Sequence, residues 1–368
     1  MKILSVIIGT PPEDSSLWLR IKKQAEILSS LGHEVELRFY GFYSRHKLSF
    51  EPPFNYSVIR VSPLNVHLKH FINTSRDRYD LLFCNLAPSA FISSLSRLKG
   101  IPIILDNHGD LISERELYET GFLRKIYYNI ISFLTFKASN RIVCVSNSMM
   151  EDLKERGIEE KKLYYVTNAT DLDLFRPLDE PEKDKMKADL GLMDKLTFGY
   201  IGADSKWQGV DNLIETSEGI SDKDIFFLYA GFSKNRKRSH NALYLPRVPF
   251  DEVKYYYGAC DVLVLPRPSH KSAEVAAPTK FAEYAAMGKP ILTTDVGDAA
   301  GLVKKYKCGI VIDDNSPENL LNGIEKFRSL PEHELLKMGK NARKMAEKEF
   351  SMEKMRQDLK KVIESLDF

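Results

Sequence analysis

The chain of 368 residues has few cysteines, almost no net charge and no long apolar run, and each shortage excludes a class of protein. No stretch approaches the ~18 uninterrupted apolar residues that a membrane-spanning helix needs. The net charge of +2 gives no field strong enough to imply a nucleic-acid partner. The four cysteines stand singly, three of them in apolar, strand-like runs, at Cys84, Cys144, Cys260 and Cys308. This spacing argues for reduced thiols in a cytoplasmic protein and against disulfides or a zinc site.

Short β-branched runs alternate with helix-like patterns in both halves of the chain. Hydrophobic residues at 43% and charged residues at 28% describe a globular protein long enough for two domains. Near-continuous apolar strands that alternate with helices indicate parallel sheets covered on both faces. Twelve runs are predicted to be strands, namely Ile3–Ile8, Val35–Phe39, Val58–Val61, Leu81–Cys84, Ile103–Leu105, Arg141–Val145, Leu163–Val166, Phe198–Ile201, Phe226–Tyr229, Val262–Leu265, Ile291–Thr293 and Ile310–Ile312.

The alternation is interrupted once, over Asn168–Lys195, where prolines and a run of charges indicate a boundary. We therefore expect an N-terminal domain over 1–172, a linker over 173–195 and a C-terminal domain over 196–348. The last helix, 349–368, is expected to pack back toward the N-terminal domain. Ligands of doubly wound sheets bind beyond the carboxyl ends of the strands, so the main site is expected in a cleft between the two domains.

The most informative stretch is Ala277–Thr294, which predicts a helix followed by a buried strand. Pro278 suits a first helical position, and Gly288 suits the residue that ends a helix. Lys280 is unusual, because a cation in the first turn opposes the helix dipole. An anion such as a phosphate at this helix start would explain the lysine. An i, i+3 pair of Lys280 with Glu283, contributing ~0.2–0.5 kcal/mol, is the equally weighted alternative.

Other polar residues follow predicted strands directly. His108, in Asp106–Asp110, comes after Ile103–Leu105, where it can project toward a sugar or a phosphate. Gly202–Gly209 lies between a strand and a helix and carries Lys206, which resembles a phosphate loop without matching a known fingerprint. Gly9 and the residues after it lack the dinucleotide fingerprint, which counts against an NAD enzyme.

Two further patterns have competing interpretations. Asp171 and Asp173 match the D-x-D pattern that some sugar transferases use for a metal, but their place in the linker region, away from a strand end, favours turn and cap chemistry. Gly121–Lys137 predicts a strongly apolar helix with a basic start. We expect it to be buried against a sheet, and the alternative is a helix that rests on a membrane surface.

Taken in order, these segments resemble the retaining GT-B glycosyltransferases, specifically the large family 4. The resemblance covers nearly the whole chain, and its specificity comes from the order and spacing of loose motifs. The motifs that carry it are Val143–Ser148, Val166–Pro177, Gly199–Glu215, Ala259–Pro266 and Pro278–Pro290.

The resemblance implies an α/β fold of two doubly wound Rossmann-like domains. It implies a nucleotide-diphosphate sugar on the C-terminal domain, a saccharide or lipid-linked acceptor on the N-terminal domain, and neither metal nor cofactor. Glu283 would hold the ribose, His108 would contact the donor sugar, and Lys206 or Lys280 would neutralise the diphosphate. The remaining donor-binding positions implied by the resemblance are Gly9, Gly202, Glu274, Pro278 and Thr279. Retention of configuration would proceed by front-face attack.

The sequence departs from the family pattern at three places. The family's first acidic residue, eight before Glu283, falls on Val275, with Glu274 as its neighbour. The Arg and Lys of the phosphate loop align with Ala203 or Asp204 and with Gln208. The Gly-Gly of the first loop is Gly9-Thr10.

Two other functions fit the same fold. A sugar-nucleotide epimerase shares the GT-B architecture, although such enzymes usually carry more acid and base residues than this sequence offers. A catalytically silent sugar-nucleotide-binding subunit would account for the missing acidic residue. The expected location is the cytoplasm or its membrane face, with peripheral membrane contact made through the N-terminal domain.

Overall fold

The computed structural model describes residues 1–42, 47–109, 122–232 and 239–366, and of residues 122–125 and 127 it describes the backbone alone. By the contacts between its residues the chain divides into two compact units. Unit 1 comprises Met1–Thr167 together with the C-terminal segment that begins at Met352, and unit 2 comprises Asn168–Ser351.

Unit 1 is built on seven parallel strands. In chain order they are β1 (Lys2–Ile8), β2 (Glu34–Phe42), β3 (Asn55–Val61), β4 (Leu81–Asn85), β5 (Ile103–Asn107), β6 (Arg141–Cys144) and β7 (Leu163–Tyr165). Across the sheet the order is β3-β2-β1-β4-β5-β6-β7. The order reverses between β1 and β4, and ligands of such sheets bind beyond the carboxyl ends of the strands at this reversal.

Helices connect the strands of unit 1. They are α1 (Ser16–Ser30), α2 (Val66–Ile72), α3 (Ala87–Ser93), α4 (Phe122–Ala138) and α5 (Asn147–Glu155), with a 3₁₀ turn at Ser94–Lys99. The helix of the C-terminal segment, Met352–Glu364, packs on α1 and β7. Arg141 at the start of β6 donates a hydrogen bond from its Nε to the Ser365 hydroxyl at 2.8 Å, which ties this segment to unit 1.

Unit 2 is built on six parallel strands. They are β8 (Leu196–Ile201), β9 (Ile225–Ala230), β10 (Ala242–Leu245), β11 (Val262–Leu265), β12 (Ile291–Thr294) and β13 (Gly309–Ile312). Their order across the sheet is β10-β9-β8-β11-β12-β13, so the reversal lies between β8 and β11. The helices are α6 (Glu180–Leu190), α7 (Val210–Gly219), α8 (Val253–Ala259), α9 (Lys271–Glu274), α10 (Thr279–Ala286), α11 (Gly297–Tyr306), α12 (Pro317–Arg328) and α13 (Glu332–Glu349).

The sheet of unit 2 is covered on both faces, because successive side chains of one strand enter different hydrophobic clusters. Leu263 and Leu265 of β11 pack in the cluster that also contains Phe281 of α10. Val264, between them, packs in the cluster that contains Leu213 of α7. Burial on both sides explains why the strands read as continuous apolar runs, and the predicted doubly wound α/β fold is confirmed.

All twelve predicted strands are present, with ends that differ by at most three residues. The thirteenth, β10 at Ala242–Leu245, was not predicted; it is only four residues long, and two of its residues are only half-buried. It pairs with β9 on one side only and forms the edge of the sheet.

The division between the units differs from the predicted boundary. The structure divides the chain between Thr167 and Asn168, and residues 173–195 belong to unit 2. Phe175 and Leu192 are buried in a hydrophobic cluster of this unit, and α6 packs on α8. Most of the prolines and charges that indicated a linker lie on the surface of a packed helix and its flanks, while Lys187 is buried and donates to Asp261 at 2.8 Å.

The four cysteines are buried and free, as the prediction of reduced core thiols required. Burial raises the pKa of the thiols of Cys84, Cys260 and Cys308 to about 12. These thiols are therefore protonated at neutral pH and act as small apolar side chains.

Candidate functional site

The loop after β8 begins at Gly202, at the reversal of the strand order of unit 2. The backbone of Gly202 has a φ of +151°, and its N–H donates to the Ala230 carbonyl at 2.8 Å. A Cβ at this position would lie 2.4 Å from Nζ of Lys280. The ammonium group therefore occupies the space that a side chain at Gly202 would take, and the φ of +151° is one that residues with a side chain rarely adopt.

Helix α10 places Lys280 in its first turn, although the helix begins one residue later than predicted. Thr279 is the first helical residue, and Pro278 precedes it with a φ of −69° and an extended ψ of 125°. Pro278 is thus the N-cap residue and not the first helical one. The helix ends where expected, before Gly288 at a φ of +65°.

The Lys280 ammonium is directed at Tyr200 of β8. It donates to the tyrosine hydroxyl at 2.9 Å and lies 4.4 Å from the ring centroid. Burial, and then the positive charge of Arg267, lower the pKa of Lys280 to about 7. Lys280 donates to Tyr200 while Glu283 accepts from Tyr257, and the negative charge of Glu283 acts on the ammonium in the opposite direction, by raising its pKa.

Arg267 lies at the carboxyl end of β11 and is the second cation of this cluster. Its side chain is 2% exposed, and its guanidinium carbon lies 4.9 Å from the Trp207 ring centroid. Nε, Nη1 and Nη2 of Arg267 find no hydrogen-bond partner among the described residues. Burial lowers the pKa of this guanidinium to about 10, which leaves it charged at neutral pH.

Arg267 and Lys280 together form a site that a bound anion would stabilise. A buried guanidinium with unused N–H donors is costly, since buried charges are normally paired and hydrogen-bonded. A second cation nearby raises that cost, and the first N–H groups of α10 add a further positive potential. Both cations stand beside β8 and β11, where the sheet order predicts a ligand. The cluster can therefore hold a phosphate or diphosphate between Arg267, Lys280 and the Gly202 loop.

Glu283 lies one turn further along α10. Its Oε2 accepts a hydrogen bond from the buried Tyr257 hydroxyl at 2.8 Å, which fixes the carboxylate. Burial and then the charge of Glu283 raise the pKa of Tyr257 well above its usual value, so the hydroxyl remains a donor. Glu283 and Lys280 are both half-buried on the same helix. This arrangement is compatible with an anion site that continues toward a group bearing hydroxyls.

The other sequence-predicted residues of unit 2 are less engaged. Lys206 is exposed in the loop, and no contact joins it to Lys280 within the described parts of the chain. Glu274 ends the short helix α9 with its side chain half-buried. Val275, which stands where the family has an acid, is 1% exposed and belongs to the core.

In unit 1, His108 follows β5 and is held by a buried carboxylate. Nδ1 of His108 lies 2.9 Å from Oδ2 of Asp106, and Arg20 of α1 donates to both carboxylate oxygens, at 2.8 and 2.7 Å. Arg20 also donates to the Val166 carbonyl at 3.0 Å. Asp106, which Arg20 holds in place, therefore positions the imidazole of His108.

The charge on Asp106 determines which ring nitrogen of His108 donates a hydrogen bond to it. Burial alone would raise the pKa of Asp106, but Arg20 and then His108 hold it well below the usual range. An ionised Asp106 accepts, so Nδ1 of His108 donates to it. Nε2 is buried and has no partner among the described residues. This nitrogen is the atom of His108 that can meet a substrate.

Two remaining predictions concern loops. Gly9 follows β1 with a φ of +91° and lies at the strand reversal of unit 1, where its N–H donates to the Tyr40 carbonyl at 2.9 Å. Asp171 forms the predicted turn, because its Oδ1 accepts from the N–H groups of Asp173 and Leu174 at 3.0 and 2.9 Å. The described residues contain no group of three or more His, Cys, Asp or Glu placed to hold a metal.

Three residues of the site were not predicted from the sequence, namely Arg267, Asp106 and Arg20. Arg267 stands between two prolines directly after the apolar run Val262–Leu265, which is the signal that strand-end residues carry. Asp106 was noticed only as part of the His108 stretch. Arg20 gave no signal, because one arginine inside an amphipathic helix is ordinary.

Comparison with known proteins finds a glycosyltransferase profile that matches each part of the chain. The profile described as Glycosyltransferase Family 4 matches residues 20–174. The profile described as Glycosyl transferases group 1 matches residues 182–345. The first lies almost entirely in unit 1 and the second entirely in unit 2.

Relatives and solved structures agree with this assignment. The chain is 23% identical over 352 residues to the uncharacterized glycosyltransferase MJ1069 of Methanocaldococcus jannaschii, covering 90% of this chain and 87% of that protein. It is 26% identical over 268 residues to the putative teichuronic acid biosynthesis glycosyltransferase TuaC of Bacillus subtilis, covering 70% and 63%. The fold matches Anabaena Alr3699/HepE in complex with UDP-glucose with a TM-score of 0.78, at 15% identity and full coverage of both chains. The chain thus has a GT-B-type fold, and its two parts match the profiles of Glycosyltransferase Family 4 and of Glycosyl transferases group 1.

Proposed function

We propose that the chain is a retaining glycosyltransferase that moves a sugar from a nucleotide-diphosphate donor to a saccharide or lipid-linked acceptor without a metal. The observation that carries the proposal is the buried guanidinium of Arg267, which lies beside Lys280 and whose nitrogens find no hydrogen-bond partner among the described residues. A buried guanidinium with unused donors next to a second cationic side chain is suited to the diphosphate of such a donor. The proposal gives a function to the lysine whose place in the first turn of α10 was otherwise unfavourable.

Arg267 and Lys280 would stabilise the leaving group, which is the nucleoside diphosphate. As the bond from the sugar carbon to the diphosphate breaks, negative charge grows on the phosphate oxygens. Arg267 and Lys280 are fixed in advance, so their attraction increases toward the transition state without reorganisation. The acceptor oxygen forms the new bond on the same face of the sugar, which retains the configuration, and its proton passes to the departing phosphate.

Other residues are assigned supporting roles. Glu283, oriented by Tyr257, would accept hydrogen bonds from the ribose hydroxyls. Gly202, Pro278 and Thr279 would bring backbone close to the donor. Lys206 remains a predicted diphosphate contact, Gly9 and Glu274 remain predicted donor contacts, and His108 remains the predicted catalytic group of unit 1.

One observation favours a silent binding subunit instead. Val275 is buried where the family has an acid, and a core valine cannot replace a carboxylate. An epimerase is the other alternative. Decay of the site is disfavoured because Arg267, just after the neighbouring strand β11, supplies a cation where the loop positions of Ala203 or Asp204 and of Gln208 supply none.

Nucleotide release separates these functions. Purified protein is incubated with a panel of nucleotide sugars, with and without candidate saccharide and lipid-linked acceptors, in excess EDTA. A transferase releases nucleoside diphosphate in equal amount to the glycosylated product and only with acceptor. Abolition by EDTA with rescue by manganese would contradict the metal-independent mechanism. Release of no nucleotide despite tight donor binding would favour the silent subunit, and conversion of the donor alone would favour the epimerase.

Lys280 should make binding of a nucleoside diphosphate dependent on pH. Its pKa of about 7 in the free protein lies below the ordinary 10.5, so near pH ~8.5 the amine is mostly neutral. A bound diphosphate favours the charged form, so binding should take up close to one proton. Calorimetry in two buffers of different ionisation enthalpy measures this uptake. The Lys280→Met variant should lose it, and equal uptake in that variant would show that another group titrates.

The lowered pKa of Lys280 also predicts how the free energy of unfolding depends on pH. The folded protein binds the Lys280 proton more weakly than the unfolded chain does. Between about pH 7 and 10.5 the unfolded state therefore holds the extra proton, and this group makes the free energy of unfolding rise with pH. Chemical denaturation of wild type and Lys280→Met across this range should show a steeper rise in the wild type, because Lys289, whose burial lowers its pKa to about 8, adds a rise of the same sign to both proteins.

A further inference from the structure

Exposed large apolar side chains are concentrated on one part of unit 1. Most of those in the described residues belong to, or directly precede, α2, the 3₁₀ turn at Ser94–Lys99 and α4. They are Leu64, Leu68, Ile72, Leu95, Leu98, Ile126, Ile130, Phe133 and Leu134, and we call this set the apolar face. Leu64 is 98% exposed and Leu98 81%, far beyond what partial packing leaves. Contiguous apolar surface of this kind indicates an interaction site.

The spacing of these residues shows that each element turns one stripe outward. Leu64, Leu68 and Ile72 follow at i, i+4 and i+8 along α2 and its entry. Leu95 and Leu98 are three apart in a 3₁₀ turn, which places them above one another. In α4 the spacing from Ile126 to Leu134 is i, i+4, i+7 and i+8, the pattern of one helix face.

The opposite faces of these elements provide the packing to the unit. Val66 and His70 of α2 are buried, as are Thr135 and Phe136 of α4. The apolar helix of 121–137 was expected to be buried against a sheet; its described part, from residue 122, is buried on one side only, and its main contacts are with α3. Its other side is apolar and exposed, so core packing leaves that side unexplained.

Side-chain contacts join the three elements into one surface. Arg97 donates from Nη1 to the Ala138 carbonyl at the end of α4, at 2.9 Å. Nζ of Lys99 donates to the Phe71 carbonyl of α2 at 2.5 Å and lies 4.0 Å from the Phe71 ring centroid. The 3₁₀ turn is thus held to α2 on one side and to α4 on the other.

The charges on these elements are of one sign. The sequences of α2, α3, the 3₁₀ turn and α4 contain no Asp or Glu. They contain the cations Lys69, Arg97, Lys99, Arg124, Lys125 and Lys137. A second copy docked face to face would bring these cations against one another, which disfavours a symmetric dimer. Apolar stripes flanked by cations instead complement a bilayer that carries anionic headgroups.

We propose that the apolar face binds reversibly to an anionic lipid bilayer, with its apolar side chains at the boundary of the headgroups. Among the described residues no helix is long and apolar enough to cross a membrane, so the contact is interfacial. Binding to the bilayer requires no sugar transfer. The consequence that unit 1 works on a lipid-linked acceptor rests on the proposed function.

The test is co-sedimentation of the full chain with vesicles, in the absence of nucleotide sugar and acceptor. The vesicles contain phosphatidylcholine alone or an equal mixture of phosphatidylcholine and phosphatidylglycerol. The double variant Ile130→Ser, Phe133→Ser removes two apolar side chains from the face. The matched control is Leu321→Ser, Leu336→Ser, two exposed leucines of unit 2. Lys137→Glu and Lys348→Glu, both at exposed lysines, form the corresponding pair for charge.

We expect binding to the mixed vesicles and weaker binding to phosphatidylcholine. The serine pair and Lys137→Glu should each lower the partition constant by roughly tenfold or more, while both controls stay near wild type. Equal binding by the serine pair and the wild type, or no vesicle binding by the wild type, would overturn the proposal. So would a wild-type dimer that the serine pair turns into monomers. Calorimetry with UDP on the same variants reports the nucleotide site separately, so failure of one proposal leaves the other measurable.

Discussion

Replacing Arg267 with methionine should weaken the binding of a nucleoside diphosphate while leaving the free protein more stable. The loss in affinity should reach about 2–5 kcal/mol, roughly 30-fold or more, as for removal of one partner of a buried charge pair. Methionine keeps much of the volume next to Trp207, and it removes a buried charge whose N–H donors find no partner in the described structure. The free energy of unfolding should therefore rise, by about 1–4 kcal/mol.

The expected fall in nucleotide affinity and rise in stability distinguish a donor-binding arginine from a structural one. A structural arginine would lose stability on substitution, and binding would fall only with it. Calorimetry with the nucleoside diphosphate and chemical denaturation of the free protein measure the two quantities. Arg247→Met, at an exposed position of the same unit, serves as the control. Lys206→Met should weaken binding less than Arg267→Met, since Lys206 is exposed. Unchanged affinity in Arg267→Met would remove the arginine from the donor site.

Replacing His108 with alanine should lower turnover by about 10²-fold or more, by analogy with the loss of one positioned polar group in a catalytic site. Affinity for the free nucleoside diphosphate should change by less than about threefold, ~0.65 kcal/mol. The reason for the difference is that His108 belongs to unit 1, while the proposed diphosphate cations belong to unit 2. A group that acts mainly in the reacting complex lowers turnover and leaves ground-state binding intact.

Initial rates with the cognate donor and acceptor, beside calorimetry with the nucleotide alone, measure this separation. The control is His333→Ala, at a surface histidine of unit 2 whose side chain is 75% exposed. Turnover near wild type in His108→Ala would reduce His108 to a structural residue held by Asp106. A parallel loss of turnover and nucleotide affinity would instead place it among the binding residues.

The fold could be predicted from the sequence because its signals are local. A strand buried on both faces is a short apolar run, and helix ends carry glycine, so the alternation was visible along the chain. Where the local signal was weak the prediction failed. β10 at Ala242–Leu245 is a four-residue strand at the sheet edge, and the polar stretch around α6 resembled a linker although Phe175 and Leu192 are buried.

The site was only partly predictable, because its partners are distant in sequence. Lys280 was singled out by its unfavourable place in a helix, which is a local conflict. The residues it meets, Tyr200 and Arg267, come from β8 and β11, and only the order of strands in the sheet makes these neighbours. His108 likewise stood out at the end of a strand, but Arg20, which offsets the buried charge of Asp106, is 86 residues away.

The most direct test of the account is an experimental structure of the protein with a bound nucleoside diphosphate. We expect phosphate oxygens within hydrogen-bond distance, ~2.7–3.2 Å, of both the Arg267 guanidinium and the Lys280 ammonium. The ammonium should leave the Tyr200 hydroxyl or share it with the phosphate, and the ribose should lie at Glu283. A nucleotide bound elsewhere, with the Arg267 nitrogens still unpaired and Lys280 still on Tyr200, would contradict the assignment of this cluster as the donor site.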